Sequence, residues 1–438
     1  MRVYWPSFSS TFCLSYLFSL LQRGDCTLKI CLINPPVREW AAPNCFPLGL
    51  GYLVSVMRQH EVEVLDINAY RFNKTQVETH IQHSSAEVFG IGGLITTYSY
   101  IKWLCEIVKK YHPNSYLVVG GAVSSVATLI PADCVVIGEG ENAFDYVVRN
   151  QIKGIYQSTH TLNLSLLPFP AWNFFPMEIY LKNPIGIINK QKWSGGGSEA
   201  PLSMNISATR GCPYQCTYCY HDFMGTKYRT RPAVSVFEEM VCLFRDYGVE
   251  FIHFIDDEFC ISKKFVLELC DLLIRSRLNR AIKWGCTGRV NLADRELYHI
   301  MKKAGCVNIC YGIESGSQKM LDIMQKGVKV SQAIEALRMT KDIFGVNDFT
   351  LMIGMPGETH DTLGETLAFL EMVGEKPEMV FFATPYPGTQ LYKEVRHKIH
   401  DEIAYIESLS EQGQKIAFNC SALPDETLIE WQKKLMAV

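Results

Sequence analysis

The sequence predicts an α/β protein built from two successive runs of alternating strands and helices. Three observations predict it. Short Val/Ile-rich segments recur through residues 28–138 and again through 203–383, separated by stretches of helical period. Glycines gather at the C-terminal ends of the segments in the first run. The second run opens on a short loop carrying three closely spaced cysteines.

In the first run, Leu28–Asn34 reads as a buried parallel strand stopped by Pro35-Pro36. A helix is expected from about Gly49 to Gln59, then strands over Val62–Asp66 and Val88–Gly93. A helix over Tyr98–Tyr111 leads to strands at Tyr116–Gly121 and Cys134–Gly138, and Glu139-Gly-Glu141 opens another helix. This alternation predicts a Rossmann-like, doubly wound parallel sheet over residues 28–150. Gly92, Gly93, Gly120, Gly121, Gly138 and Gly140 then fall at the strand ends, the edge where open α/β sheets bind ligands. They do not form the G-x-G-x-x-G dinucleotide pattern, and tight turns alone would also explain them. Residues 151–202 are a connector, with Leu167–Trp172 expected to be extended and Ser194–Ser198 flexible.

In the second run, residues 203–390, strands are expected at Ser203–Thr209, Phe251–Ile255, Ile282–Thr287, Val307–Gly312, Asp348–Gly354 and Met379–Ala383. Helices fall near Ser235–Tyr247, Lys263–Ser276, Asp294–Ala304, Val330–Phe344 and His360–Val373. Each strand ends in polar residues or glycine. Asp256, Asp257 and Glu258 follow the second, either as helix-capping charge or as ligands. Arg289 follows the third, a cation suited to a carboxylate. Glu314 follows the fourth and Gly354 the fifth. Cys306 and Cys310 should share one strand face and belong to the core, as should His253. Residues 391–438 read as a charged helical segment that caps the second unit or shapes its pocket.

The cysteine loop is Ala208-Thr-Arg-Gly-Cys-Pro-Tyr-Gln-Cys-Thr-Tyr-Cys-Tyr220. Cys212, Cys216 and Cys219 have Cys-x3-Cys-x2-Cys spacing, so three thiolates can surround one metal centre. A cubane iron–sulfur cluster with one iron left open fits three cysteines. Zinc with His221 as a fourth ligand, or free core thiols, are the alternatives.

Composition sets outer limits. At 438 residues the chain can form two or three domains, and 48% hydrophobic with 20% charged residues is ordinary for a packed globular protein. A net charge of −3 argues against nucleic-acid partners. Sixteen scattered cysteines suit a reducing cytoplasm better than a disulfide framework. The apolar run Thr11–Leu21 is too short to span a bilayer, so residues 1–27 are read as an extension and no membrane insertion is expected.

The cysteine loop resembles the cluster motif of the radical S-adenosylmethionine (SAM) superfamily. That resemblance implies a [4Fe-4S] cluster on Cys212, Cys216 and Cys219, and a partial (β/α)6 barrel. It implies reductive SAM cleavage to a 5′-deoxyadenosyl radical, with the electron drawn from a partner such as flavodoxin or ferredoxin. Tyr218, Asp256, Arg289, Glu314 and Gly354 are its expected SAM contacts. The first domain is similar to the cobalamin (B12)-binding domain that precedes the barrel in one branch of the superfamily. Gly92, Gly93, Gly120, Gly121, Gly138, Glu139 and Gly140 are its expected cofactor edge. Asn34–Leu50 contains no histidine, so cobalt should be bound without one. The nearest group contains methylases and the anaerobic magnesium-protoporphyrin monomethyl ester cyclase. Methyl transfer to an unactivated carbon or phosphorus of a small molecule is the expectation, with radical cyclisation second. A cobalamin- or iron–sulfur-sensing protein is the non-enzyme alternative. Methylthiotransfer to tRNA lacks its second cysteine cluster here. The resemblance assigns no catalytic side chain.

Overall fold

A computed structural model describes residues 27–38, 42–159, 161–183, 201–220, 224–409 and 415–438. Most of the N-terminal extension, the Ser194–Ser198 stretch and His221 lie outside the described residues.

The first sheet contains β1 (Lys29–Asn34), β2 (Glu61–Asp66), β3 (Val88–Gly92), β4 (Tyr116–Gly120), β5 (Cys134–Ile137) and β6 (Gly154–Gln157). Its order is β2-β1-β3-β4-β5-β6, and every pairing is parallel. The strand period of two divides the core cleanly. Ile30, Leu32, Val88, Val118 and Val136 face one cluster, while Cys31, Ile33, Phe89, Ile91, Leu117 and Val119 face the other. Helices α1 (Leu48–Val56), α2 (Lys74–His83), α3 (Tyr98–Tyr111) and α4 (Gly140–Arg149) cover these faces. The strand order reverses between β1 and β3, the place where such sheets bind ligands.

Two features differ from expectation. Helix α2 buries only Val77 and Ile81, too thin a stripe to read in a polar segment, and its start is fixed by an Asn73–Gln76 capping box. The segment from 151 onward contains more regular structure than a bare connector, although Leu167–Ala171 is irregular. It adds β6 beside β5, and then forms a helical turn at Trp172–Phe174 and helix α5 (Met177–Leu181). The Phe46 ring gathers Trp172, Phe175 and Tyr180 at centroid distances of 4.4, 4.7 and 5.6 Å.

The second sheet contains β7 (Ser203–Ile206), β10 (Phe251–Phe254), β11 (Lys283–Gly288), β12 (Cys306–Glu314), β13 (Asp348–Ile353) and β14 (Met379–Phe382). A two-stranded ribbon, β8 (Thr209–Arg210) with β9 (Arg229–Thr230), precedes β10. The large sheet runs β14-β13-β12-β11-β10-β7, each strand parallel to the next. Helices α6 (Ala233–Tyr247), α7 (Lys263–Ser276), α8 (Arg295–Lys303), α9 (Val330–Phe344) and α10 (His360–Val373) intervene. This is an open half-barrel.

A bulge in β12 corrects the reading of Cys306 and Cys310. Trp284 pairs with Cys306 but Gly285 pairs with Asn308, so Val307 is an extra residue. An extra residue reverses the side-chain alternation. Cys306 lies in the outer core with Cys286 and Tyr298, whereas Cys310 stands opposite Thr287 and is only half-buried. His253 is buried as expected, and burial pushes its imidazole down to about 4.

The C-terminal segment ties the two units together. Tyr405, Ile406 and Leu409, in and after α11 (Glu402–Ser408), join the core that holds Ile101 and Leu104 of α3. Ser99 Oγ donates to the Glu407 carbonyl at 3.1 Å, and Lys102 pairs with the Glu407 carboxylate at 2.9 Å. Helix α12 (Asp425–Met436) continues the outer layer beside β14 and α10. Among the described residues, no helix is long and apolar enough to cross a membrane.

Candidate active site between the half-barrel and the first sheet

The β8–β9 ribbon pinches the base of the cysteine loop. Asp256 Oδ1 accepts the Ala208 N–H at 2.9 Å and also that of Thr209, which fixes how the chain enters the loop. At its far end, Thr217 N–H donates to Met324 O at 3.0 Å and Leu391 N–H donates to Thr217 O at 2.7 Å. Cys216 is buried, Cys212 half-buried and Cys219 exposed. Among the described residues, no three His, Cys, Asp or Glu side chains are gathered tightly enough for a single metal ion. Three soft sulfur donors spread along one loop suit a cubane, whose thiolates sit on separate irons.

Beside this loop stands a buried cation. Arg289, 6% exposed, lies with its guanidinium 3.7 Å from the centre of the Tyr214 ring and its Nη1 3.8 Å from Cys216 Sγ. Its Nε and Nη2 have no hydrogen-bond partner. Buried charges normally find partners, so these donors fit a ligand carboxylate such as that of SAM. Glu258 is buried nearby. Desolvation pushes its carboxyl up to about 7, although the Cys260 N–H, Arg289 and Lys326 draw it down.

Asp256, expected to touch SAM, spends Oδ1 on the loop backbone and keeps Oδ2 without a partner. Burial pushes it up to about 6 against the pull of the Thr209 and Ala208 bonds. The folded chain thus holds a proton that an unfolded aspartate loses near pH 4. Stability from this group is full below about pH 4 and is lost as pH rises towards 6. Asp256→Asn keeps the Oδ1 acceptor. Relative to wild type, the cofactor-free variant should gain about 2–3 kcal/mol of stability between pH 4 and pH 7. Urea unfolding at several pH values measures this gap, and a pH-independent gap would refute the assignment.

Glu314 sits at the end of β12 in left-handed backbone, φ +70°. Its Oε1 accepts Lys326 Nζ at 2.9 Å and Tyr218 OH at 3.1 Å, and Lys326 Nζ also reaches Tyr218 OH at 3.0 Å. It does not cap the following turn: Ser315 Oγ bonds Thr366 and the Ser317 N–H instead. Tyr218 also packs with Met320, Met324, Met352 and Met355, so the cysteine loop and the loop after β13 share one soft apolar wall. Gly354 lies at that turn, its N–H donating to Glu358 Oε2 at 3.2 Å, with Leu428 of α12 packed beside it.

The first sheet presents its glycine edge to the same region. Gly121, φ +86°, crosses Gly93 so closely that a Cβ would fall 2.7 Å from the Gly93 carbonyl oxygen, so these two glycines are a packing requirement. Gly92, Gly120, Gly138 and Gly140 line the rest of the edge. Beside them, Thr96 Oγ1, Ser124 Oγ and Ser125 Oγ are buried without partners. These hydroxyls suit the polar groups of a bound cofactor, and sequence reasoning passed over them because single Ser and Thr residues carry no pattern. The Glu139 carboxylate is bonded to Arg210, Arg229 and the Leu162 N–H.

Two domain-family models match the chain. The Radical SAM superfamily model matches residues 206–370, and the B12 binding domain model matches residues 37–148. The chain therefore carries a radical SAM domain preceded by a B12-binding domain. An uncharacterized methyltransferase of Pyrococcus horikoshii is 27% identical over 84% of this chain and 83% of its own length. The anaerobic magnesium-protoporphyrin IX monomethyl ester cyclase of Cereibacter sphaeroides is 28% identical over 67% of this chain, which spans half of that relative's length. Among solved structures, the radical SAM methyltransferase TsrM of Kitasatospora setae, with cobalamin and a [4Fe-4S] cluster bound, shares the fold. Its TM-score is 0.66 at 18% identity, covering 85% of this chain and 75% of that one.

This radical SAM protein is therefore a cobalamin-dependent enzyme that uses a [4Fe-4S] cluster and SAM. When bound, these groups supply an electron, a 5′-deoxyadenosyl radical and a cobalt centre. The chain's own residues hold and orient them. The ribbon and Asp256 pin the thiol loop, and the Tyr218–Met wall excludes water.

Proposed function

We propose that this enzyme moves a methyl group from SAM to an unactivated carbon or phosphorus of a small molecule. The observation that carries this reading is the convergence of three loops on Gly388. A Cβ there would collide with the Tyr220 ring, at the end of the cysteine loop, and would lie 3.5 Å from Ser125 Cβ, on the cofactor edge of the first sheet. A methyl carrier on that edge and a radical source on that loop would stand next to one another. The naming of the Pyrococcus relative as a methyltransferase supports the same reading, and the cyclase relative keeps radical cyclisation as the second. Cys212, Cys216 and Cys219 would hold the cluster, and Arg289 the SAM carboxylate. Residues 28–150 would bind cobalamin without a histidine ligand, and 203–390 would form the barrel. The electron would come from a flavodoxin or ferredoxin in the reducing cytoplasm.

Methyl transfer by this route uses two SAM molecules per product and releases S-adenosylhomocysteine and 5′-deoxyadenosine together. Cyclisation releases 5′-deoxyadenosine alone. Anaerobic turnover with reductant and a small-molecule extract of the source cells distinguishes them by the ratio of these two coproducts. A ratio near one supports methyl transfer, and absence of S-adenosylhomocysteine refutes it.

Glu314 would contact SAM through a polar group of the ribose or the ammonium. Glu314→Ala is expected to weaken SAM binding by about 10- to 150-fold, with iron content unchanged. It should also lower the melting temperature, because Lys326 loses its buried partner. Calorimetric SAM titration checks this, and normal affinity with normal iron would remove Glu314 from the SAM site.

A further inference from the structure

Two arginines at the base of the cysteine loop reach out of the half-barrel to two acids at the end of β5. Arg210 lies two residues before Cys212, and Arg229 faces it across the β8–β9 ribbon. Arg210 Nη1 donates to Glu139 Oε1 at 2.8 Å, while its Nη2 takes Glu141. Arg229 Nη1 donates to Glu139 Oε2 at 2.9 Å and its Nη2 to Oε1 at 3.1 Å. The Leu162 N–H gives Glu139 Oε2 a further bond at 3.1 Å, and the Arg210 guanidinium stands 5.3 Å from the Tyr52 ring. Burial alone would push the Glu139 carboxyl up, but Arg229 and Arg210 outweigh it and hold it below the usual range.

A buried ion pair adds little net stability over an apolar contact of the same size, because desolvation cancels much of the attraction. What it does provide is geometry: the planar guanidinium fork accepts a carboxylate in few orientations. The two units already adhere through an apolar contact, where Tyr405, Ile406 and Leu409 meet α3. The ionic contact lies elsewhere, where the glycine edge adjoins the root of the thiol loop. Glu139 directly follows Gly138 of that edge.

We propose that Glu139, Arg210 and Arg229 are positioning residues that set the separation and orientation of the cobalamin edge relative to the cluster loop. This rests on the reading that cobalamin lies at that edge. Glu139→Gln preserves shape and removes the charge. In the cofactor-free full chain, amide exchange at 209–212 and 229–230 should rise by about 10- to 100-fold, the scale of a lost charge-assisted bond. Exchange at 252–254 in β10 should not change. In the chain loaded with cluster and cobalamin, the distance distribution between the Co(II) and reduced-cluster spins should broaden, with iron and cobalamin content at wild-type levels. Glu139→Asp, which keeps the charge, should recover most of the protection and narrow the distribution again. Faster exchange without broadening would make the contact merely adhesive and overturn the proposal, as would unchanged exchange. A wild-type chain that takes up no cobalamin would instead sink the reading of the edge, and that is seen before any variant is compared.

Discussion

Alanine at Cys212, Cys216 or Cys219 is expected to leave a folded chain that holds no cluster and cleaves no SAM. The fold should survive because the loop is secured by other groups. Its base is the β8–β9 ribbon, its entry is fixed by Asp256, and its far end by bonds from Thr217 and Leu391. Only Cys216 is buried, and shortening it to alanine opens a small space worth about 1 kcal/mol. Cluster binding has no such reserve. Each thiolate would hold one iron corner, and a site with two of three ligands should lose iron on desalting. Iron and sulfide analysis, with 5′-deoxyadenosine formation under strong reductant, measures both. A single variant that keeps full iron would show that its cysteine is not a ligand.

Arg289→Met should change two properties in opposite directions. Arg289 is buried with two unpartnered donors, so the cofactor-free protein bears an internal charge whose hydrogen bonds are incomplete. Such a charge is costly, and an unbranched apolar side chain of similar length removes it. The cofactor-free variant should therefore melt higher than wild type, even though the stacking on Tyr214 is lost. SAM affinity should fall by about 10- to 150-fold, the value of a charge-assisted bond to its carboxylate. Stability given up at a binding site and recovered when the site is destroyed is a recognised trade-off. Thermal melts without cofactors and SAM titration of the cluster-loaded protein test the pair. Lower melting with unchanged affinity would make Arg289 a structural residue.

Much of this was legible in the residues. The half-barrel helices near Lys263–Ser276, Val330–Phe344 and His360–Val373 were readable, since each buries several apolar residues between clear boundaries. The cysteine loop was legible because three like donors at short spacing have few other uses. Side-chain pairings across long sequence separations were not. Glu139 looked like part of the glycine edge, yet its partners lie 71 and 90 residues away. Lys326 carried no signal at all, although it completes the Glu314–Tyr218 group. Cys310 was misplaced for a local reason: one inserted residue, Val307, reverses the strand's alternation, and composition cannot reveal a bulge.

The most direct test of the central claim follows the methyl group. The enzyme, loaded anaerobically with cluster and cobalamin, is incubated with reductant, trideuteromethyl-labelled SAM and the small-molecule extract. The account predicts a new product that carries the intact trideuteromethyl group in place of one hydrogen, and no such product when cobalamin is withheld. A substrate that loses hydrogens and gains no label would contradict it and establish radical cyclisation instead.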